Sequence, residues 1–386
     1  MLQRSILLFF IYYSALCISG IVRAAAIDIS GFKDSASHWR HINEPERVMQ
    51  PVPDQPSYKP EQVREICANI LLFQRSNGGW PKDYDMCAIL NDNQIQALRD
   101  SHKRNDTTFD NHATHTQVAY LANAYRQLKE ESWRDACLRG LAFIFDAQYP
   151  NGGFPQRHPN HKGIAGLITF NDGVMVGIMN LLGDIAHKRN GFEWIDDTTA
   201  KKARAASDRG LACILAMQYK DKQGVLQGWG QQHDPKTLLP AQARTFEFAC
   251  LSPQDTCKIL TYLMGIERPG DAVTRAIQSA VAWLDTTKLT GIRVENFKAG
   301  YIEFNRHKTG SDRRVVEDPS ALPLWARMVE LETNRPIFAS RDGVRKYSLD
   351  EIDRERRTGY GWYGSWPLAI LEKQYPVWLK KNNLSE

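Results

Sequence analysis

The chain has 386 residues, 42% of them apolar and 24% charged, enough for one large core or two medium ones, which excludes a disordered, collagenous or polar-repeat protein. Ten Trp, fourteen Tyr and fifteen Phe suit either helix packing in a large core or a surface that stacks on flat ligands such as sugars, and composition does not choose between them. A formal charge of +5 with no long Lys/Arg run argues against nucleic acid as a partner.

At the N-terminus Arg4 precedes the apolar run from Ser5 to Leu16, and small residues follow at Ala24-Ala25-Ala26. The order of charge, apolar block and small residues reads as a signal peptide over 1–26, against the alternative of a buried first helix. Export is therefore expected, to the periplasm or the exterior, with a single domain over 27–386. Cleavage there removes Arg4 and Arg23 and no acids, taking the net charge from +5 to +3. Nothing later in the sequence suits a membrane span. Beyond Cys17 six cysteines remain, Cys67, Cys87, Cys137, Cys213, Cys250 and Cys257. An even number entering an oxidising compartment leads to an expectation of some pairing, although a core this large can also hold six reduced thiols.

From residue 60 onward a repeat organises the chain. Gln74-Arg75-Ser76-Asn77-Gly78-Gly79-Trp80-Pro81-Lys82 returns 74 residues later as Gln148-Tyr149-Pro150-Asn151-Gly152-Gly153-Phe154-Pro155-Gln156. A looser copy runs from Gln218-Tyr219 to Gln227-Gly228-Trp229-Gly230, and Gly361 to Pro367 is a candidate fourth. Before the second copy Leu138, Leu141, Ala142, Phe145 and Tyr149 share a helical face, as do Leu211, Ile214, Leu215 and Tyr219 before the third. Two further amphipathic stretches lie between copies, Val118 to Leu128 and Val174 to Ile185. Helices alternating with glycine-aromatic turns predict an all-α fold, an α/α toroid-like barrel of helical hairpins with long loops and a few short strands. The competing architecture is an ordinary orthogonal bundle.

In such a ring the N-termini of the inner helices gather at one mouth. Asp110-Asn111 precedes one inner helix and Asn171-Asp172-Gly173 another. Asp110 and Asp172 read either as plain N-caps or as oxygen ligands converging on Ca²⁺, roles that can coexist. His112 with His115, and His158 with His161, have metal-ligand spacing but lack HExxH or nearby cysteines, and a solvent-facing or hydrogen-bonded role is favoured for both. No P-loop, GxSxG or complete dinucleotide loop is present. Arg244, Arg327, Arg335 and Arg341 suit planar carboxylates, or equally surface pairing with Glu247, Glu330, Glu332 and Asp342.

The segments Asn77 to Lys82, Asp110-Asn111-His112-Ala113-Thr114, Thr169-Phe170-Asn171-Asp172-Gly173, Ala243-Arg244-Thr245-Phe246-Glu247 and Asn334 to Gly343 occur in the order in which the pectate lyases of polysaccharide lyase family 10 carry theirs, and this chain resembles that family over nearly all of residues 27–386. The resemblance implies an α/α toroid and cleavage of polygalacturonate by Ca²⁺-dependent β-elimination. It further implies Asp110 and Asp172 as calcium ligands, Arg244 as the base at C5, and Arg327 and Arg341 as uronate-binding residues, with Asn111 and Lys82 as cleft contacts. The family commonly carries Gly where His112 stands. Crowding by Ca²⁺, Arg327 and Arg341 is expected to draw the Arg244 pKa downward. Tyr360, Trp362 and Tyr363 are candidates for sugar stacking or for packing. The expected partner is an acidic polysaccharide bound by a monomer, without nucleic acid or a membrane span. Two other readings stand beside this one: an inverting glycoside hydrolase with Asp110 and Asp172 as acid and base, and an exported polysaccharide-binding protein without turnover.

Overall fold

Each glycine-aromatic segment stands where the periodicity of the preceding helix stops. In the computed structural model, which describes residues 25–304 and 307–384, these preceding helices are α2 (Val63–Phe73), α5 (Glu131–Ala147) and α7 (Asp197–Ala216), after a short α1 (Lys33–His41) and with α3 (Asp92–Asp100) and α4 (His115–Leu128) between. The expected signal peptide lies outside the described residues apart from its last two. Continuing along the chain, α6 (Val174–Ala186), α8 (Pro253–Met264) and α9 (Asp271–Thr286) complete three antiparallel hairpins, α4 with α5, α6 with α7 and α8 with α9. Between hairpins, α4 packs on α6 and α6 on α8, α2 packs on both α4 and α5, and α7 packs on α9. The protein is thus mostly helical. No described helix is long and apolar enough to cross a membrane.

The repeat has a physical basis in one hydrogen-bond pattern. Gln74 Nε2 donates to Gly78 O of its own turn and to Ala136 O of α5, each at 2.9 Å. Gln148 Nε2 does the same with Gly152 O and Ala206 O, and Gln218 Nε2 with Gln227 O and Ala276 O. One amide therefore closes a turn and ties consecutive hairpins together, satisfying carbonyls that would otherwise be buried without partners. Gly78 and Gly152 both adopt positive φ, +93° and +95°, and an added Cβ would meet the Arg139 or Arg209 carbonyl oxygen at 2.4 or 2.1 Å. The aromatic of the unit is anchored in turn: Trp80 Nε1 donates to Ile70 O and Trp229 Nε1 to Ile214 O. The same bond after α9 is made by Trp325, to Leu284 O at 2.7 Å. The fourth relative is therefore Trp325 rather than the segment from Gly361 to Pro367, whose Trp362 is buried against Phe338 in a smaller second core.

Two expectations are corrected. The strands were expected to be few and short, and β1 (Ile168–Thr169), β2 (Gln232–His233) and β3 (Cys250–Leu251) are, but β4 (Ile292–Phe304) and β5 (His307–Glu317) form a long antiparallel hairpin. This hairpin separates Trp325 from the helix to which it belongs, which hides the fourth repeat from a fixed-period search. The cysteines are also not paired: Cys67, Cys87, Cys137, Cys213, Cys250 and Cys257 are all free and buried. They are dispersed over α2, α5, α7, α8, β3 and a loop, and burial pushes the Cys87, Cys213 and Cys250 thiols up to about 12.

Candidate active site

The inner helices α4 and α6 are each entered through a single 3₁₀ turn, Asp110–His112 and Asn171–Gly173, behind a fully buried phenylalanine, Phe109 or Phe170. The two turns share a backbone. Asn111 and Asp172 both have φ +51°, and His112 and Gly173 follow with φ +61° and +74°. Two consecutive left-handed residues cannot continue into a helix, so α4 begins only at His115 and α6 at Val174. Neither Asp110 nor Asp172 accepts a capping bond from its helix, and the plain N-cap reading of these residues is set aside.

Both turns open into one pocket of about 340 Å³, a volume suited to a small ligand or one portion of a longer one. Its wall contains Lys82, Asp110, Asn111, Asp172, Arg244 and Arg327, so six of the seven residues singled out from the sequence meet there. Arg341 does not. Its guanidinium is held by Glu355 through bonds of 3.1 and 3.0 Å and lies 5.7 Å from the Phe246 ring, near which Arg244 also sits at 4.8 Å. Arg341 is thus a neighbour of the wall and not part of it. Trp362 is core, whereas Tyr360 lines the pocket and presents its face to Arg327 at 4.3 Å.

The electrostatics of the acidic side are asymmetric. Lys82 Nζ donates to Asp110 Oδ2 at 2.6 Å and to Asn111 Oδ1 at 3.2 Å. Asp110 Oδ1, however, is buried with no hydrogen-bond partner. Asp172 accepts from Asn171 Nδ2 at 2.6 Å, and its carboxyl is pushed up to about 6, first by burial and then by the neighbouring Asp110 charge. An orphaned carboxylate oxygen beside a second carboxyl that ionises reluctantly is an arrangement short of positive charge. Two hard oxygen donors fit Ca²⁺ better than a transition metal, with the remaining ligands left to water or substrate. No group of three or more His, Cys, Asp and Glu suited to a metal occurs among the described residues.

The basic side is equally informative. Arg327 is largely enclosed, has no carboxylate bonded to it among the described residues, and its Nε is buried without a partner. Arg244 is gripped by Glu247, with Nε to Oε2 at 2.7 Å and Nη2 to Oε1 at 2.5 Å. This contact reverses the expected direction of the Arg244 pKa. Burial would lower it, but the hydrogen bonds and charge of Glu247 outweigh burial and raise it above the ordinary guanidinium value. Sequence reasoning weighed Glu247 only as a surface partner, whereas its side chain is buried at 3% exposure.

Several wall residues were missed: Asp34 and His38 from α1, Gln156 at the end of the second repeat, Arg157 and Ile164 after it, and Asn171 and Gln232. Asn111 Nδ2 donates to Asp34 Oδ2 at 2.8 Å, while His38 Nδ1 meets Asp83 Oδ1 at 3.0 Å, an interaction that raises the histidine pKa. No sequence signal marks α1. Asn171 and Gln156, in contrast, lie inside segments already singled out. Of the two histidine pairs, His112 packs its ring against Gly173 between the site turns, burial pushes His115 down to about 3, and His158 is bonded to His161 and Asp146 at 3.2 and 2.8 Å.

A family model described as pectic acid lyase matches residues 74–371. Among solved structures, a family 10 polysaccharide lyase from Cellvibrio cellulosa aligns with a TM-score of 0.68 and 28% identity, covering 82% of this chain and 92% of that one. An aspartate-to-alanine mutant of that lyase, in complex with trigalacturonic acid, aligns at 0.67 and 28% identity over 82% of this chain and 93% of its own. A search of curated proteins gave no match.

Proposed function

Because the chain belongs to the pectic acid lyase family, we propose that this pectate lyase cleaves α-1,4-polygalacturonate by calcium-dependent anti β-elimination, with Arg244 as the base and a 4,5-unsaturated oligogalacturonide as product. The observation that carries the reading is the shared wall: two carboxylates, one of them with an orphaned oxygen, face a half-exposed arginine and an unpaired buried arginine across one small pocket. The structural relative bound to trigalacturonic acid supports the substrate class. The family match and the turnover it implies favour a lyase over the hydrolase and the non-catalytic binding readings. Closure of the hairpins into a toroid belongs to the same proposal, supported by the run of neighbouring α4, α6 and α8.

Asp110 Oδ1 and the Asp172 carboxylate would hold Ca²⁺ together with a uronate carboxylate. When bound, the ion supplies positive charge against the enolate-like charge that develops on that carboxylate as the C5 proton leaves. Arg327 has no carboxylate hydrogen-bonded to it among the described residues, so its planar donors are open to a uronate carboxylate. Lys82 and Asn111 hold the Asp110 turn in place and border the same space. Arg341 contributes at one remove, beside the Phe246 ring. Arg244 takes the C5 proton, the electron pair of the C–H bond becomes the C4–C5 double bond, and the C4–O bond breaks on the opposite face. Bulk water protonates the departing oxygen.

A guanidinium ordinarily titrates above about 12, so a neutral Arg244 is scarce at neutral pH, and the Glu247 contact makes it scarcer. An alkaline optimum is therefore expected. The test is to incubate the protein with polygalacturonate at alkaline pH and follow the absorbance of the unsaturated uronide, with Ca²⁺ or with chelator, and with Arg244→Ala. Activity indifferent to chelation would remove calcium from the scheme, and wild-type turnover in R244A would remove the base. We also propose that the mature protein, freed of residues 1–26, acts outside the cytoplasm as a monomer.

A further inference from the structure

We infer that Glu247 is a positioning residue for Arg244, fixing which guanidinium nitrogen faces the substrate and setting the alkaline threshold at which that nitrogen can accept a proton. The inference rests on the reading of Arg244 as base and adds to it a residue with a separate role.

The grip is side-on. Glu247 Oε2 accepts from Arg244 Nε at 2.7 Å and from its backbone N–H at 3.3 Å, while Oε1 accepts from Nη2 at 2.5 Å. The turn between the two residues is closed by the backbone of Glu247 donating to Arg244 O at 2.8 Å and of Ala243 donating to Glu247 O at 3.0 Å. Nη1 is left without a hydrogen-bond partner among the described residues. One face of the guanidinium rests on the Phe246 ring at 4.8 Å, so rotation is restricted both in and out of its plane. Glu247 itself is fixed from the other side, where the Tyr360 hydroxyl donates to Oε1 at 2.9 Å. A surface ion pair leaves both partners exposed and loosely held. Here the carboxylate is buried at 3% exposure, the guanidinium is half-exposed, and Nη1 is the nitrogen left unbonded among the described residues.

Such a clamp gives position at the expense of availability. A misplacement of about 1 Å can lower a rate roughly 10²-fold, so an unrestrained, half-exposed arginine would make a poor base. The same carboxylate stabilises the protonated guanidinium and thereby moves the pH at which Nη1 becomes free upward. The charged and titratable groups that bear on the pair are Tyr360 and Asp172 beside Arg244, and Arg327, Tyr360 and Cys250 beside Glu247.

Two substitutions separate the roles. Glu247→Gln keeps the size and an acceptor but removes the charge, so the acid limb of the kcat–pH profile moves to lower pH. Glu247→Asp keeps the charge but withdraws it by one methylene, so kcat falls by roughly 10 to 10²-fold with the acid limb in place. In both variants KM stays near the wild-type value, because Glu247 is committed to Arg244 and Tyr360. Thermal melts establish that each variant is folded, and either variant alone is decisive. A wild-type pH limb in E247Q, or a wild-type kcat in E247D, overturns the inference. Wild-type turnover in R244A, measured alongside, would instead overturn the assignment of the base and leave the clamp as a structural contact.

Discussion

The turns Asp110–His112 and Asn171–Gly173 have nearly the same backbone and opposite chemistry. In the first, aspartate precedes asparagine and the carboxylate sits ahead of the left-handed residue; in the second, asparagine precedes aspartate and the carboxylate sits on it. The order of the third residue differs as well, His112 in one and Gly173 in the other. These differences interlock. An added Cβ at Gly173 would lie 2.2 Å from His112 Cε1, so the histidine ring of one turn occupies space that the glycine of the other leaves open. The lesson is that a duplicated turn, mismatched in side chain, brings two carboxyls into one pocket from different backbone positions. A symmetric pair would present the same position twice. The mismatch also separates their surroundings, since Asp110 is bonded to Lys82 while the acidity of Asp172 is weakened by burial and by Asp110.

The largest effects are expected where the mismatch is removed. Asp110→Ala and Asp172→Ala should each lower kcat/KM by roughly 10² to 10³-fold, the scale for removing a group that positions transition-state charge, with the protein still folded. A sharper test is Asn171→Asp combined with Asp172→Asn, which conserves composition and moves the second carboxyl to the position it has in the first turn. If position matters, the double variant falls as far as D172A. Activity near wild type, measured by the unsaturated uronide, would show that the pocket needs only the summed charge.

Much of this was legible beforehand. The helices beside the repeats were visible from their 3.6-residue periodicity, a local and repeated signal, whereas the site segments were visible through their resemblance to a known family. Asp110, Asp172, Arg244 and Arg327 come from four distant stretches, and it was the resemblance to the family 10 pectate lyases, not any spacing within this chain, that assigned them to one site; the structure brings all four to one pocket. What was hidden has a different character. Trp325 is separated from α9 by the long hairpin, α1 reaches the pocket through tertiary packing alone, and Glu247 changes the Arg244 pKa only once folding buries its carboxylate. The cysteines misled for the same reason: their number said nothing of where each thiol is buried.

Stability gives the next contrast. Gly173→Ala places a methyl group against the His112 ring at a backbone φ of +74°. Steric overlap and left-handed strain together should cost about 3 kcal/mol, read by chemical denaturation. Asp172 should also leave a signature in the pH dependence of stability when calcium is chelated. Its folded pKa is raised to about 6 from 3.8, so the folded state keeps the proton to higher pH than the unfolded chain does. The stabilisation that this provides is complete below about pH 4 and lost as pH rises through about 6. The melting temperature of the chelated protein should therefore contain a fall over that window that Asp172→Asn removes. An unchanged slope in D172N would place the titrating group elsewhere.

The smallest effect is expected at His112, where strain and packing oppose each other. His112 has φ +61°, a conformation that costs a residue with a Cβ roughly 1 to 2 kcal/mol and glycine almost nothing, so His112→Gly relieves backbone strain. The same change removes a ring that packs over Gly173 and lies edge-on to His115 at 5.7 Å, and it leaves a void between the turns. The two terms are of similar size, so the net change should be within about 1 kcal/mol of zero. Calcium affinity is the more discriminating readout, because the ring packs between the turns that carry Asp110 and Asp172. If His112 sets their separation, H112G lowers calcium affinity, measured by titration of the apoprotein, while stability barely moves. If both quantities are unchanged, the backbone of the two turns holds the carboxyls in place without the ring between them.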